Sequence, residues 1–165
     1  MKSCFFIGHR DASEALYPLI VREVERHIVE YGVSEYIVGQ YGRFDGMAAR
    51  AVREIKGRFP GIRLVLLQAY LKNKALPEGY DASVYPEGLE YVPKRFAILR
   101  ANRAMVDRCD YLIGCVSRNF GGAWQCLEYA KRKRKRIVNL GATMRHGDRF
   151  RDSLLSESES RDLSP

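Results

Sequence analysis

Three short glycine-containing loops stand out because each follows an apolar segment and precedes a segment with helical spacing. They are Gly8-His9-Arg10, Gly39 to Asp45, and Phe120-Gly121-Gly122-Ala123. Glycine lets a backbone approach a ligand closely. The free N–H groups at the start of the following helix favour an anion such as a phosphate. The pattern predicts a phosphate site, although a glycine after a strand is also common in a simple turn.

The predicted ligand-binding residues lie in these loops and on a helix that spans residues 96–106. Arg10 suits a phosphate because a guanidinium donates two parallel hydrogen bonds, and a surface ion pair is its alternative role. We expect Arg10 and Arg100 to converge on one anion from opposite sides of a crevice. The ligand-binding candidates are Gly8, His9, Arg10, Gly39, Gly42, Asp45, Arg100, Asn102, Gly121 and Gly122.

Two residues are candidates for acid–base catalysis. His9 titrates near neutral pH, and its alternative role is a hydrogen bond to the backbone. Glu128 follows Gly121-Gly122 by about one to two helical turns and faces either the loop or solvent. Asp45 opens a helix, so an N-cap is its simplest role. The sequence shows no metal-ligand spacing, and we predict neither a metal nor another cofactor.

Alternating strands and helices must position these loops. Apolar runs at residues 4–7, 36–39, 62–70, 110–116 and 137–140 predict strands, and helical spacing separates them. Continuous apolar strands are typical of a parallel sheet covered on both faces. We therefore expect a three-layer, Rossmann-like α/β domain with a mostly parallel sheet of about five strands flanked by helices. The sequence contains neither the dinucleotide fingerprint nor the P-loop motif.

Composition and segment boundaries predict one domain with a tail. Apolar residues make up 46% and charged residues 29% of the chain, which is typical of a globular protein. The domain is predicted over residues 1–148. Residues 72–93 are predicted to be a long functional loop or lid. Residues 149–165 are polar and serine-rich, and we predict a disordered tail there.

Cysteines and apolar segments indicate the compartment. The four cysteines form no C-x-x-C pair and are interpreted as reduced thiols. The longest apolar stretch, Leu64 to Leu71, is too short to span a bilayer. We expect a cytoplasmic protein without membrane contact, and a homo-oligomer is possible.

The net charge of +8 is concentrated in a basic run, Lys131 to Arg136. Such a run can mark a surface that binds a polyanion. Its simpler interpretation is that cations complement the dipole at the C-terminus of a helix. The simpler interpretation is favoured.

The ordered motifs together resemble the YpsA-like branch of the SLOG superfamily. The resemblance covers residues 3–141 and implies a Rossmann-like fold that binds nucleotides or their derivatives. The superfamily also contains the lysine-decarboxylase-like phosphoribohydrolases and DprA. The motifs that carry the resemblance are residues 6–10, 39–45, 85–87, 100–105, 109–110 and 120–123.

The enzymes of this superfamily carry the motif P-G-G-x-G-T-x-x-E, and the chain departs from it. Glu128 occupies the acidic position, but Phe120 replaces the proline. Trp124 and Gln125 replace the Gly-Thr pair of the motif. The departure weakens the prediction of glycosidic cleavage more than the prediction of phosphate binding.

Three functions follow, in order of preference. The first is binding of a small nucleotide-like ligand at the carboxyl edge of the sheet. The second is hydrolysis of the N-glycosidic bond of a nucleotide, with Glu128 as the acid. The third is binding of nucleic acid by the basic run and scattered aromatic residues.

Overall fold

The computed structural model describes residues 1–71 and 75–142 of the chain. Its strands are β1 (Lys2–Gly8), β2 (Val33–Val38), β3 (Arg63–Leu67), β4 (Ala82–Val84), β5 (Tyr111–Cys115) and β6 (Arg136–Asn139). Its α-helices are α1 (Tyr17–Tyr31), α2 (Arg43–Lys56), α3 (Lys94–Arg108) and α4 (Gly121–Arg132). Two 3₁₀ turns, Glu14–Leu16 and Leu89–Tyr91, precede α1 and α3. The tail predicted at 149–165 lies outside the described residues.

Within the described residues, six strands form one sheet in the order β4-β3-β2-β1-β5-β6. Every neighbouring pair is parallel. Helices α1 and α2 bury residues such as Ile20 and Phe44 on one face. Helices α3 and α4 bury Ala101 and Cys126 on the other. The three-layer, parallel α/β architecture predicted from the sequence is confirmed.

The segment predicted as one long loop contains an additional strand. Ala82–Val84 pairs with β3 through Val65↔Ala82 and Leu67↔Val84, so the sheet has one more strand than the five expected. Three residues are too few to show a periodic pattern, and glycine and proline flank them. An edge position suits so short a strand.

Local signals set the start and the end of α1. Gly32 ends α1 in the left-handed region, with φ of 68°. Pro18 lies in the first turn of α1, where its missing N–H costs nothing. Ser13 caps the preceding 3₁₀ turn by accepting a hydrogen bond from the N–H of Ala15. Each of these ends could be predicted because its cause is local.

The direction of winding reverses at β1. Strands β2, β3 and β4 follow on one side of β1, while β5 and β6 lie on the other. Strand β1 pairs directly with β5, and Gly8 lies opposite Cys115. In an open α/β sheet, the loops that leave two such strands diverge and form a crevice at the carboxyl edge.

Candidate functional site at the carboxyl edge of the sheet

A cavity of about 390 Å³ lies in this crevice. Its floor is the end of β1, and its walls come from the loops after β1, β2 and β5 and from α3. We call it the sheet-edge cavity. Nine of the predicted ligand-binding residues line it: Gly8, His9, Arg10, Gly39, Gly42, Asp45, Asn102, Gly121 and Gly122. The expectation that three separate loops meet at one edge is therefore met by the geometry.

Two predicted residues lie elsewhere. Arg100 lines a second cavity and not the sheet-edge cavity, so the expectation that it shares an anion with Arg10 does not hold. The reason is helical geometry. Arg100 and Asn102 are two residues apart on α3, so their side chains leave the helix in directions that differ by about 200°. Glu128 is also absent from the lining, and its carboxylate accepts a hydrogen bond of 2.7 Å from Lys131.

Close packing between loops explains the first three glycines. A side chain at Gly8 would overlap the buried ring of Phe44. A Cβ at Gly42 would lie 2.7 Å from the Cα of Arg10. A Cβ at Gly39 would lie 2.7 Å from a carboxylate oxygen of Asp45. Packing within the second loop, between the first two loops and against α2 therefore explains these glycines, and no ligand is needed to account for them.

The glycine pair at the start of α4 is different. Gly121 has φ of 88°, a conformation that favours glycine. Gly122 has no such requirement, and a Cβ built on it would meet no heavy atom within 4 Å. The absence of a side chain at Gly122 therefore leaves open space beside the backbone in the cavity wall. Neither backbone strain nor packing against the described residues explains it.

The N-terminus of α4 contributes positive electrostatic potential to the cavity. The N-cap residue, Phe120, gives the first turn no side-chain hydrogen bond. The N–H groups at the start of a helix otherwise need an acceptor, and they carry the positive end of the helix dipole. Gly121 and Gly122 lie in this turn and line the cavity. An anion beside Gly122 would meet these donors.

His9 holds the first loop against the last one. Its Nε2 accepts hydrogen bonds of 3.1 and 3.2 Å from the N–H groups of Ser117 and Arg118. Burial lowers the pKa of His9 below its ordinary value, and the charge of Arg118 lowers it further, while Asp11 opposes the shift. A neutral ring with an occupied Nε2 suits the backbone-binding role. Proton transfer at Nε2 would break both hydrogen bonds.

Asp45 caps a turn rather than the helix that follows. The N-cap of α2 is Gly42, and Asp45 lies within the first turn. Its Oδ2 accepts a 3.0 Å hydrogen bond from the N–H of Tyr41, which closes the loop after β2. The expectation that Asp45 is the N-cap is thus wrong, because the N-cap lies three residues earlier, at Gly42. Burial raises the pKa of Asp45 to about 6, although the hydrogen bond to Tyr41 and the charge of Arg10 act against that shift.

Sequence reasoning missed Arg118. Its guanidinium forms two hydrogen bonds with Asp11, at 2.6 and 3.1 Å, and lies 5.6 Å from the centre of the Phe120 ring. The Phe120 ring is 62% exposed at the rim of the cavity. Arg118 lies three residues before Gly121, between the strand predicted at 110–116 and the glycine pair, and this position is the signal that could have found it. Tyr41 and Ile98 were also missed and complete the apolar part of the lining.

The cysteines lie away from this chemistry. All four are free and buried, namely Cys4, Cys109, Cys115 and Cys126. Burial raises the pKa of Cys109 to about 11 and of Cys126 to about 12, and a protonated thiol is a poor nucleophile. Within residues 1–71 and 75–142, no group of three His, Cys, Asp or Glu side chains could hold a metal ion. In the same residues, no helix is long and apolar enough to cross a membrane.

Local contacts engage much of the basic run. Lys131 pairs with Glu128, and Lys133 lies 3.3 Å from Asp107. Lys135 donates hydrogen bonds to the carbonyl oxygens of Asp107 and Cys109. The run joins the C-terminus of α4 to the start of β6, so it lies at the opposite edge of the sheet from the cavity. These contacts agree with the favoured interpretation as cations at a helix C-terminus.

The fold is similar to those of two solved DNA-processing A proteins. DprA from Streptococcus pneumoniae gives a TM-score of 0.61 at 15% identity over 83% of this chain and 49% of that protein. DprA from Helicobacter pylori, which binds single-stranded DNA, gives 0.59 at 14% identity over 94% of this chain and 81% of that protein. The chain thus spans about half the length of the Streptococcus pneumoniae protein. No family model and no curated protein matches the sequence.

At such low identity, the likeness shows the fold alone. The chain has a Rossmann-like fold similar to that of DprA. The SLOG superfamily and its YpsA-like branch stay predictions from the sequence.

Proposed function

We propose that this chain binds single-stranded nucleic acid and holds one nucleotide of the strand in the sheet-edge cavity. The observation that carries the proposal is the open space at Gly122 beside the uncapped first turn of α4. A phosphate there would accept hydrogen bonds from backbone N–H groups. Arg10 lines the same cavity and supplies positive charge, and Arg118 lines it while paired with Asp11.

A strand is favoured over a free nucleotide by what surrounds the cavity. The exposed ring of Phe120 lies at the rim, with the guanidinium of Arg118 nearby. Aromatic rings beside cationic groups bind successive bases with little dependence on sequence. The net charge of +8 also suits a polyanion. The fold shared with a protein that binds single-stranded DNA supports this choice.

A free nucleotide is the second candidate, and the size of the cavity favours it. About 390 Å³ falls in the range that small ligands use, roughly 300–1,000 Å³. The phosphate would occupy the same position beside Gly122. Unlike the binding of a strand, the binding of a free nucleotide requires contacts between the protein and one nucleotide only.

Fluorescence anisotropy with a labelled oligothymidylate tests the proposal. Binding should weaken as salt rises, because phosphate contacts release counterions. Phe120→Ala should reduce affinity by about 1–3 kcal/mol through lost stacking. Val29→Ala, at an exposed apolar side chain on α1, is the control. Failure of the oligonucleotide to bind, with calorimetric binding of mononucleotides, would favour the second candidate instead.

A further inference from the structure

A second cavity, of about 290 Å³, lies beside α3 and α4. It shares no lining residue with the sheet-edge cavity. Arg100, Arg103 and Tyr129 line it together with the segment Pro86 to Leu89, and we call it the α3–α4 cavity. Its presence accounts for the position of Arg100, which the sheet-edge cavity does not use.

Arg103 is held in place but lacks a hydrogen-bond partner for one donor. Its guanidinium lies 5.4 Å from the centre of the Tyr129 ring, a cation–π contact. Its Nε is buried and has no hydrogen-bond partner within the described residues. Buried donors are nearly always paired, so this one indicates a missing acceptor.

Nearby carboxylates do not neutralise the two arginines. Asp107 follows Arg103 by one helical turn and would be its natural partner. Both oxygens of Asp107 instead accept the Tyr129 hydroxyl at 2.9 Å, and Lys133 lies 3.3 Å away. Neither Arg100 nor Arg103 has a carboxylate within 4.0 Å in the part of the chain that the structure describes. Two guanidinium groups therefore line one cavity without a direct ion pair in the described residues.

The balance of charge in the cavity suits a single negative charge. Arg100 and Arg103 contribute two positive charges, and the pair formed by Asp107 and Lys133 is neutral. Glu87 lines the cavity as the remaining acid, which leaves an excess of one positive charge. A phosphodiester carries one negative charge, whereas a terminal phosphate carries close to two at neutral pH.

We infer that the α3–α4 cavity binds a phosphodiester of the same nucleic-acid strand that enters the sheet-edge cavity. The inference rests on the proposed function and extends it to a second subsite. Guanidinium groups bind phosphate oxygens through two parallel hydrogen bonds. The contact with Tyr129 already orders Arg103, so little side-chain entropy is lost on binding.

A second subsite on the same strand makes affinity depend on length. A short oligonucleotide reaches one cavity only. A longer one reaches both, and its second contact forms at high effective concentration. Variants of the second cavity should therefore leave short strands unaffected and weaken long ones.

Anisotropy titrations with 5′-labelled oligothymidylates of about 4 to about 16 nucleotides test this inference. Arg100→Gln and Arg103→Gln are the variants. Arg22→Gln on α1, which packs on the opposite face of the sheet, is the charge-matched control. Each cavity variant should bind the longest strand about tenfold more weakly than the wild type, with the slope of log K against log salt reduced by about 0.7. The shortest strand should bind equally to all four proteins.

Losses that equal those of Arg22→Gln at every length would overturn the inference and leave the proposed function intact. Failure of the wild-type protein to bind any strand would instead remove the proposed function, and the inference with it. Arg100 is exposed, so Arg100→Gln remains informative if Arg103→Gln unfolds, which circular dichroism would reveal.

Discussion

At the scale of single residues, the glycines of the edge loops divide by what they contact. Gly8, Gly39 and Gly42 lie against protein atoms, whereas Gly122 faces open space. A glycine that packs against its own protein is required by the fold. One that packs against nothing, has an ordinary φ and also lines a cavity is free to serve a ligand. Gly122 meets all three conditions.

Gly122→Val should weaken binding of an oligothymidylate at least about tenfold, because the side chain would occupy the space proposed for the phosphate. The change should leave the fold intact, since no atom lies within 4 Å of the new Cβ. Anisotropy gives the affinity and thermal melting the stability.

Gly61→Val is the control, since Gly61 also lies in open space and precedes β3 at the other edge of the sheet. Equal affinities for the two variants would rule out the glycine pair as the phosphate site.

Asp45 should make binding depend on pH. Its pKa of about 6 is raised above the ordinary 3.8, so the folded protein binds an extra proton between these values. The stability that this proton provides is present below pH 3.8 and is lost as pH rises through about 6. Protonation also removes a negative charge from the cavity, so affinity for a strand should rise as pH falls through about 6.

Asp45→Asn should flatten this pH profile and bind more tightly than the wild type at pH 7 to 8, because the amide oxygen can still accept from Tyr41. Oligonucleotide titrations at constant ionic strength, at pH values below and above 6, measure both profiles. His9 also lines the cavity, and its pKa is lowered from the ordinary 6.5, so the variant is compared with the wild type to separate the contribution of Asp45 from that of His9. An unchanged profile in the variant would exclude Asp45 as its source.

At the scale of elements, the contact between the end of β1 and the start of α2 fixes the shape of the cavity floor. The ring of Phe44, in the first turn of α2, packs directly over Gly8. His9 ties the loop after β1 to the loop after β5. The three loops are therefore held together by the helices and strands that flank them.

Gly8→Ala should destabilise the protein by about 1–3 kcal/mol, because the new methyl group overlaps a buried ring. Gly46→Ala, in the same helix as Phe44, should instead stabilise it by about 0.5–1 kcal/mol, since the added Cβ meets nothing and glycine is unfavourable in a helix. Chemical denaturation of both variants measures the two changes. A neutral effect of Gly8→Ala would show that Phe44 moves aside easily.

At the scale of the whole molecule, positive charge is distributed over both edges of the sheet, but its surroundings differ. The basic run is engaged largely in local contacts at one edge. Arg10 and Arg118 lie beside a cavity at the other edge, where Arg118 is paired with Asp11. The net charge alone therefore does not determine whether a polyanion binds to the basic run or to the arginines beside the sheet-edge cavity.

Arg118→Gln should weaken strand binding about tenfold, while the double change of Arg132 and Arg134 to Gln should weaken it less than about twofold. The double variant removes more charge but acts only through the long-range field. Anisotropy at two salt concentrations compares them. A larger loss in the double variant would transfer the proposed interface to the basic run.

The sequence by itself determined the α/β class, the parallel sheet, the ends of α1 and the loops that carry the cavity. These features follow from local causes: continuous apolar strands, helical spacing, and glycine at a left-handed position. The fold class and most cavity-lining residues could therefore be predicted. The three-residue strand β4 could not be predicted, because it forms only by pairing with β3, which is distant from it in the sequence.

Only the tertiary structure decided which side chains share a cavity. Arg100 and Asn102 are only two residues apart in sequence, but the helix directs them to different cavities. Arg118 joins the sheet-edge cavity because β5 lies next to β1, and strand order is a long-range property. The glycines likewise differ only in the atoms that surround them. Spacing along a chain specifies local geometry, whereas proximity between loops depends on how the whole sheet is assembled.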